Sequence, residues 1–241
     1  MESYKGQGIV LHTIKYGESG LIVYMYSRRN GRDVLMLNGL RSKTKGNRAA
    51  LLQPMFLVDY EASEVPHGKM HRIKDVSTTQ PLCCEFDIRR SALSMFMAEV
   101  IYRLVKEEVA NEEMYNFFEQ ISMALRKMSD GLENLHLWFM VRLSELLGFC
   151  PENNWTEESF FDICQGRFVV IPPMHKMYFS RECSTLLAQL MSVVQTEQLV
   201  RLEMSRVRRR EFLESMLVFI GYHNEGIGAV KSIEVLKEIF Y

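Results

Sequence analysis

The chain has 241 residues, 47% of them hydrophobic and 24% charged, with a net charge of -1. That is the composition of a folded globular protein and excludes a disordered or low-complexity chain. No apolar run reaches the roughly 18 residues of a membrane span, and MESYKGQGIV holds no apolar signal core, so a cytoplasmic protein without a membrane partner is expected.

The first third alternates short blocks rich in Val, Ile, Leu and Tyr with turn residues. GIVLHTI and LIVYMYS flank the turn-like KYGESG. Asn30-Gly31, inside RRNGR, is a strong hairpin signal, and DVLMLN reads as the returning strand. MFLVDYEAS follows Pro54, VPHG turns the chain at 65–68, and KMHRIKDVS completes about five strands in about 80 residues. The connections leave no room for crossover helices. The expected fold of residues 1–80 is therefore a small closed antiparallel barrel, and five strands favour the oligonucleotide/oligosaccharide-binding (OB) fold.

After Pro81 the period changes to that of helices. FDIRRSALSMFMAEVIYRLVKEEV carries a stripe at Ile88, Ala92, Met95, Phe96 and Val100. Asn111, followed by Glu112 and Glu113, is placed to cap the next helix, whose stripe is Met114, Phe117, Phe118, Ile121, Leu125 and Met128. LENLHLWFMVRLSELLGF is apolar nearly all round and belongs at the centre of a helical core, with Gly148 and Pro151 as stop signals. FFDICQGRFVVI, residues 160–171, reads as a hairpin turning at Gln165-Gly166. Ser180 opens a helix, a long helix is expected from about Glu197 to Tyr222, and Ser232 opens the last one. Residues 81–241 thus read as a mostly helical domain with one inserted hairpin, and the whole as an α+β protein.

No catalytic signature is present: there is no phosphate-binding loop, no zinc-protease motif and no nucleophile elbow. The five cysteines have no regular spacing and form no C-x-x-C pair, which argues against a disulfide framework and against a metal. His67 and His71 are four apart, but a turn separates them. No cofactor is expected. Charge is the informative feature. To residue 80 there are 12 Lys+Arg against 7 Asp+Glu, net +5; beyond it 17 against 23, net -6. Four of the cations, Arg41, Lys43, Lys45 and Arg48, fall in the acid-free stretch LNGLRSKTKGNR. Arg28, Arg29 and Arg32 flank the Asn30-Gly31 turn. Such a cluster on a barrel loop, mixed with hydroxyl and amide donors, suits phosphate contact, although charge runs are often only solvated surface. Tyr16, Tyr24, Tyr26, Phe56 and Tyr60 lie in the same third as candidates to stack on bases or to fill the core.

The stretch from GIVLHTIKYGESGLIV to RAALLQPM resembles the opening of the RecO recombination-mediator family. The matching positions are Tyr16, Glu18, Gly31, Gly39, Arg41, Ser42, Lys43, Leu52, Gln53 and Pro54. LWFMVRLSELLGFCPE resembles the family's L-R-x-x-E-x-L-G-x-x-P helix, and KSIEVLKEI its terminus. The resemblance implies an OB domain and a helical domain that bind single- and double-stranded DNA and anneal complementary strands. It implies partnership with RecR and with the acidic tail of single-stranded-DNA-binding protein (SSB), to help load RecA, with RecF involved indirectly, and association with the nucleoid. It implies no enzyme. Many members carry two C-x-x-C pairs as a zinc-binding insert after that helix; here the hairpin stands in its place, and packing of Phe160, Phe161, Ile163, Phe168 and Val170 is expected to hold it. An SSB tail, ending in acids and an apolar pair, needs cations beside an apolar pocket. Arg206, Arg209 and Arg210 with Phe212 and Leu213 offer that combination, unless the arginines only pair with Glu203, Glu211 and Glu214 on a solvated face. The rival reading is a non-enzymatic adaptor whose helical domain binds protein, with incidental nucleic-acid binding.

Overall fold

The computed structural model describes residues 3–39, 48–63, 70–78 and 87–241. The chain divides into two compact units, Met1–Arg126 and Lys127–Tyr241. The expected boundary at residue 80 marks where strands give way to helices. Compactness instead groups the first two helices with the strands.

In the first unit β1 (Ser3–Tyr16), β2 (Gly20–Ser27), β3 (Gly31–Asn38), β4 (Leu57–Ser63) and β5 (His71–Ser77) form a closed barrel in the order β1-β2-β3-β5-β4. This is the five-stranded, OB-like barrel expected from the sequence, with one correction. The pairs are antiparallel except β3 with β5, which run parallel from Leu35↔His71 to Leu37↔Ile73. Direction cannot alternate all the way round a closed ring of odd number, so one parallel pair is forced. Inward positions follow the period of two: Leu21, Val23 and Met25 of β2 and Leu35 and Leu37 of β3 meet Val10, Val58, Tyr60, Ala62, Ile73 and Val76. β1 begins earlier than its apolar block, because the polar Ser3–Gln7 segment pairs along β4. A register shift between Val10 and His12 lets the one strand serve both neighbours.

Helices α1 (Ile88–Leu104) and α2 (Glu112–Lys127) complete the unit. Asp87 caps α1 by accepting from the Arg89 and Arg90 amides at 2.8 and 3.3 Å. Its buried face is Ala92, Leu93, Phe96, Met97, Val100, Ile101 and Leu104. Ile88 and Met95, expected on the buried stripe, are 57% and 45% exposed. A helix apolar on several sides leaves the stripe ambiguous until its neighbours are known. On α2 the expected stripe is buried from Met114 to Leu125, and Asn111 Oδ1 accepts from Met114 N at 3.0 Å. Phe118 meets Tyr26 edge-on at 5.0 Å, and Ser122 Oγ donates to the Met55 carbonyl at 2.7 Å, which seats α2 on the barrel.

The second unit is built around α3 (Leu132–Leu146), whose Leu135, Leu137, Trp138, Phe139, Met140, Val141 and Leu143 are all buried. Trp138 Nε1 donates to the Val193 carbonyl, and Asn134 Nδ2 to those of Leu199 and Leu202. The hairpin is β6 (Phe160–Asp162) and β7 (Arg167–Val169), turning at Gly166 with φ of 66°. Phe161, Ile163 and Phe168 are buried as expected, but Val170 is 68% exposed and does not help to hold it. α4 (Arg181–Ser192) starts at Ser180, whose Oγ accepts from Cys183 N. The single long helix expected from Glu197 is two elements. A 3-10 turn, Thr196–Arg201, precedes α5 (Arg206–His223), which Ser205 caps through Arg208 N. α6 (Ile233–Phe240) closes the unit.

Candidate nucleic-acid interface

The expected interface has two parts, the β2–β3 hairpin tip and the basic stretch after β3. Of the latter, Arg41, Lys43 and Lys45 lie outside the described residues, while Arg48 opens a 3-10 turn, Arg48–Leu51. Arg48 donates to the Lys74 carbonyl at 3.1 Å and lies 3.3 Å from Asp75, with its side chain 13% exposed. It ties the end of the stretch to β5.

The hairpin tip is a three-residue loop, Arg28-Arg29-Asn30, between the paired Ser27 and Gly31. Gly31 has φ of 69°, the left-handed conformation that closes such loops. It also lies so close to the segment joining α1 and α2 that an added Cβ would stand 2.3 Å from the Val109 carbonyl oxygen. The next residue, Arg32, donates its amide to the Glu107 carbonyl at 2.9 Å. Arg32 Nη1 then donates to the Tyr102 and Val105 carbonyls at 2.7 and 3.0 Å, and its guanidinium sits 4.5 Å from the Tyr102 ring centroid. Arg28 donates to Asn116 Oδ1, lies 3.5 Å from Glu119, and stacks 4.5 Å over Tyr115. Arg29 stacks 4.3 Å over Tyr4.

Two groups of arginine follow. Arg32 fastens β3 to the Tyr102 and Val105 carbonyls, and Arg48 fastens the 3-10 turn to the Lys74 carbonyl and the Asp75 carboxylate of β5. Arg28 and Arg29 are exposed and lie over aromatic rings. β5 adds Arg72 and Lys74 on its solvent side, with Ile73 buried between them. Arg72 stands in register with Met36 of β3. Closure of the barrel brings Arg72 beside β3, while Lys74 Nζ donates to Ser3 Oγ of β1 at 2.7 Å.

Of the five aromatics weighed as stackers, Tyr26 and Tyr60 are buried, and burial raises both hydroxyls, that of Tyr26 to about 12. Phe56 lies under Arg126, and Tyr24 is half-buried edge-on to Tyr102. Tyr16 is 54% exposed at the end of β1, with Ile14 exposed on the same side.

In the second unit Arg206 and Arg210 stand one turn apart on exposed α5 surface, Arg210 paired with Glu214 at 3.1 Å. Arg209 is turned inward: Nη2 donates to the Met204 carbonyl, and its charge reaches the buried His136. Phe212 and Leu213 are fully buried and present no surface to a ligand. The described thiols are Cys150, exposed; Cys164, half-buried in the hairpin turn; and Cys183, buried in α4. A closed four-thiolate zinc site, as in the cysteine-rich insert, does not fit this dispersed set.

Comparison with known proteins bears on both units. The family model described as Recombination protein O N terminal matches residues 1–82, and that described as Recombination protein O C terminal matches 85–228. Proteins named DNA repair protein RecO are similar along nearly their whole length. That of Phocaeicola vulgatus is 32% identical over 238 residues, that of Bacteroides fragilis 30% over 239, and that of Flavobacterium psychrophilum 28% over 238, with 98% of each chain covered.

Proposed function

The chain belongs to the RecO family of DNA repair proteins, and from that premise we propose that it is a non-enzymatic recombination mediator, acting in the cytoplasm at the nucleoid. In this reading it binds single- and double-stranded DNA through its barrel unit, anneals complementary strands, and works with RecR and the SSB tail to help load RecA. The observation that carries the proposal is the match of both family halves, in order, to a chain whose first unit is a closed five-stranded barrel with exposed cations. Annealing requires binding that ignores sequence and lowers the repulsion between two phosphate backbones. Cations that displace condensed counterions supply both. Arg28, Arg29, Arg72 and Lys74, with Arg41, Lys43 and Lys45 in the adjoining stretch, are the side chains assigned to that role. No helix among the described residues is long and apolar enough to cross a membrane, which fits partners in solution.

The test is annealing of complementary oligonucleotides precoated with SSB, followed by fluorescence-donor quenching. Duplex formation faster than the spontaneous rate, and dependent on this chain, supports the reading. A spontaneous rate at all concentrations, together with binding of SSB-tail peptide, favours the adaptor instead.

A further inference from the structure

The segment that follows β7 exposes a run of apolar side chains. In Val170-Ile171-Pro172-Pro173-Met174, Val170 is 68% exposed, Ile171 79%, and Met174 fully. Single exposed apolar residues are ordinary surface, but a contiguous set marks a contact. None of the five carries a charge or a side-chain hydrogen-bond donor. The backbone is stiff as well. Each proline fixes its own φ near about -65°. Ile171 and Pro172 each precede a proline, which keeps both out of the helical region. Both ends of the segment are fastened. Asn154 bonds the amide and the carbonyl of Phe168 at 2.9 and 3.1 Å. On the returning limb the Ile163 amide donates to the Met177 carbonyl at 3.1 Å, and Tyr178 bridges to Asp162. A segment already held in this way loses little freedom when it binds.

Beside that limb opens a groove of about 650 Å³. Ile163, Tyr178 and Val218 give it an apolar lining, and its charged residues are Lys176, Glu182, Glu211 and Glu214. Glu214 is offset by Arg210 at 3.1 Å and Lys237 at 3.2 Å. Glu182 and Glu211 are exposed and outnumber Lys176, so the groove is acidic. The apolar run has the opposite character at its ends, where Arg167 and Lys176 are both exposed. Lys176 and Tyr178 belong to the returning limb and also line the groove. Projection and groove therefore adjoin on one face of the second unit.

We propose that residues 170–174 of one copy seat in this groove of a second copy, and reciprocally, so that the chain forms a two-fold dimer through its second unit. A two-fold interface uses the same patch on both copies and needs that patch to be complementary to itself. A projection and a groove side by side satisfy this, since each copy gives its loop and receives the other's. Ile171 and Met174 leave water against Ile163, Tyr178 and Val218 of the second copy, which supplies the driving force. Prolines held in extended conformation suit a groove with an aromatic wall, here Tyr178. Arg167 and Lys176 meet Glu182 and Glu211 across the contact, which fixes its orientation.

The experiment is analytical ultracentrifugation of tag-free full-length protein from about 1 to about 100 μM. The weight-average mass is expected to rise toward twice the 28.2 kDa of one chain. Ile171→Asp with Met174→Asp spoils the loop, and Glu211→Lys with Val218→Lys spoils the groove. Each pair raises the dissociation constant at least tenfold. An equimolar mixture of the two variants associates more tightly than either alone, because one intact loop then meets one intact groove. All four positions are exposed, and far-ultraviolet circular dichroism shows that each variant keeps its fold. The mass of a single chain at every concentration overturns the proposal. So does a dimer that either variant leaves unchanged, or a mixture no tighter than its components. DNA enters none of these measurements, so the outcome is independent of the proposed function.

Discussion

Gly31→Ala probes the junction that holds the basic hairpin tip in place. Alanine at φ of 69° costs about 1–2 kcal/mol for the left-handed conformation alone. The new Cβ also meets backbone: the Val109 carbonyl oxygen at 2.3 Å, with the Glu107 oxygen and the Val109 carbonyl carbon at 2.9 Å. Backbone cannot rotate aside as a side-chain end can, so relief means displacing the α1–α2 connection and stretching the bond from Arg32 N to the Glu107 carbonyl. Overpacking of that kind costs about 1–3 kcal/mol. The expected total is about 3 kcal/mol. With roughly 2.1 cal/mol/K per residue over the 126 residues of the first unit, ΔS is about 0.26 kcal/mol/K, and Tm falls by about 11 °C. Gly17→Ala is the control. Its φ is 61°, but an added Cβ meets nothing within 4 Å, so it costs only the conformational part, about 4–8 °C. Differential scanning calorimetry of the two variants separates the contributions. Equal shifts would refute the reasoning, because the close approach to Val109 would then contribute nothing.

Replacing Arg41, Lys43 and Lys45 together by Ala is expected to flatten the slope of log K against log salt for single-stranded DNA by about 2, at ~0.7 per contact; fluorescence anisotropy across a salt series measures it. His136 is held neutral by burial, with a smaller contribution from Arg209, and its pKa falls to about 3. Between that value and the ordinary 6.5 the unfolded chain binds a proton that the folded chain refuses, so stability is complete above pH 6.5 and falls with pH below it. The loss is about 1.4 kcal/mol per unit, or about 2 kcal/mol by pH 5; urea titrations at pH 7, 6 and 5 should show this slope in the parent and not in His136→Gln. Arg206→Glu with Arg210→Glu is expected to weaken an SSB-tail peptide at least tenfold, about 1.4 kcal/mol, while oligonucleotide binding changes far less. Level peptide affinity places the tail elsewhere.

Sequence alone determined the elements whose cause is local. Strands appear wherever period-two apolar blocks are cut by Gly and Asn, and α2 and α4 begin where Asn111 and Ser180 cap them, because a side chain and an amide two or three residues away decide those ends. The family was legible for the same reason, since its motifs are runs of neighbouring residues. The break before α5 escaped because helix periodicity runs through it, and only the capping Ser205 marks the start. What remained hidden depends on residues far apart in the chain. The parallel β3–β5 pair is a consequence of closing an odd ring. Arg32 and Arg48 read as free cations until the structure supplied the Tyr102, Val105 and Lys74 carbonyls they bind. Phe212 and Leu213 read as a docking wall until packing buried them. A sequence records which donors and charges exist, but which of them neutralise one another is a matter of distance, and distance is set by the fold.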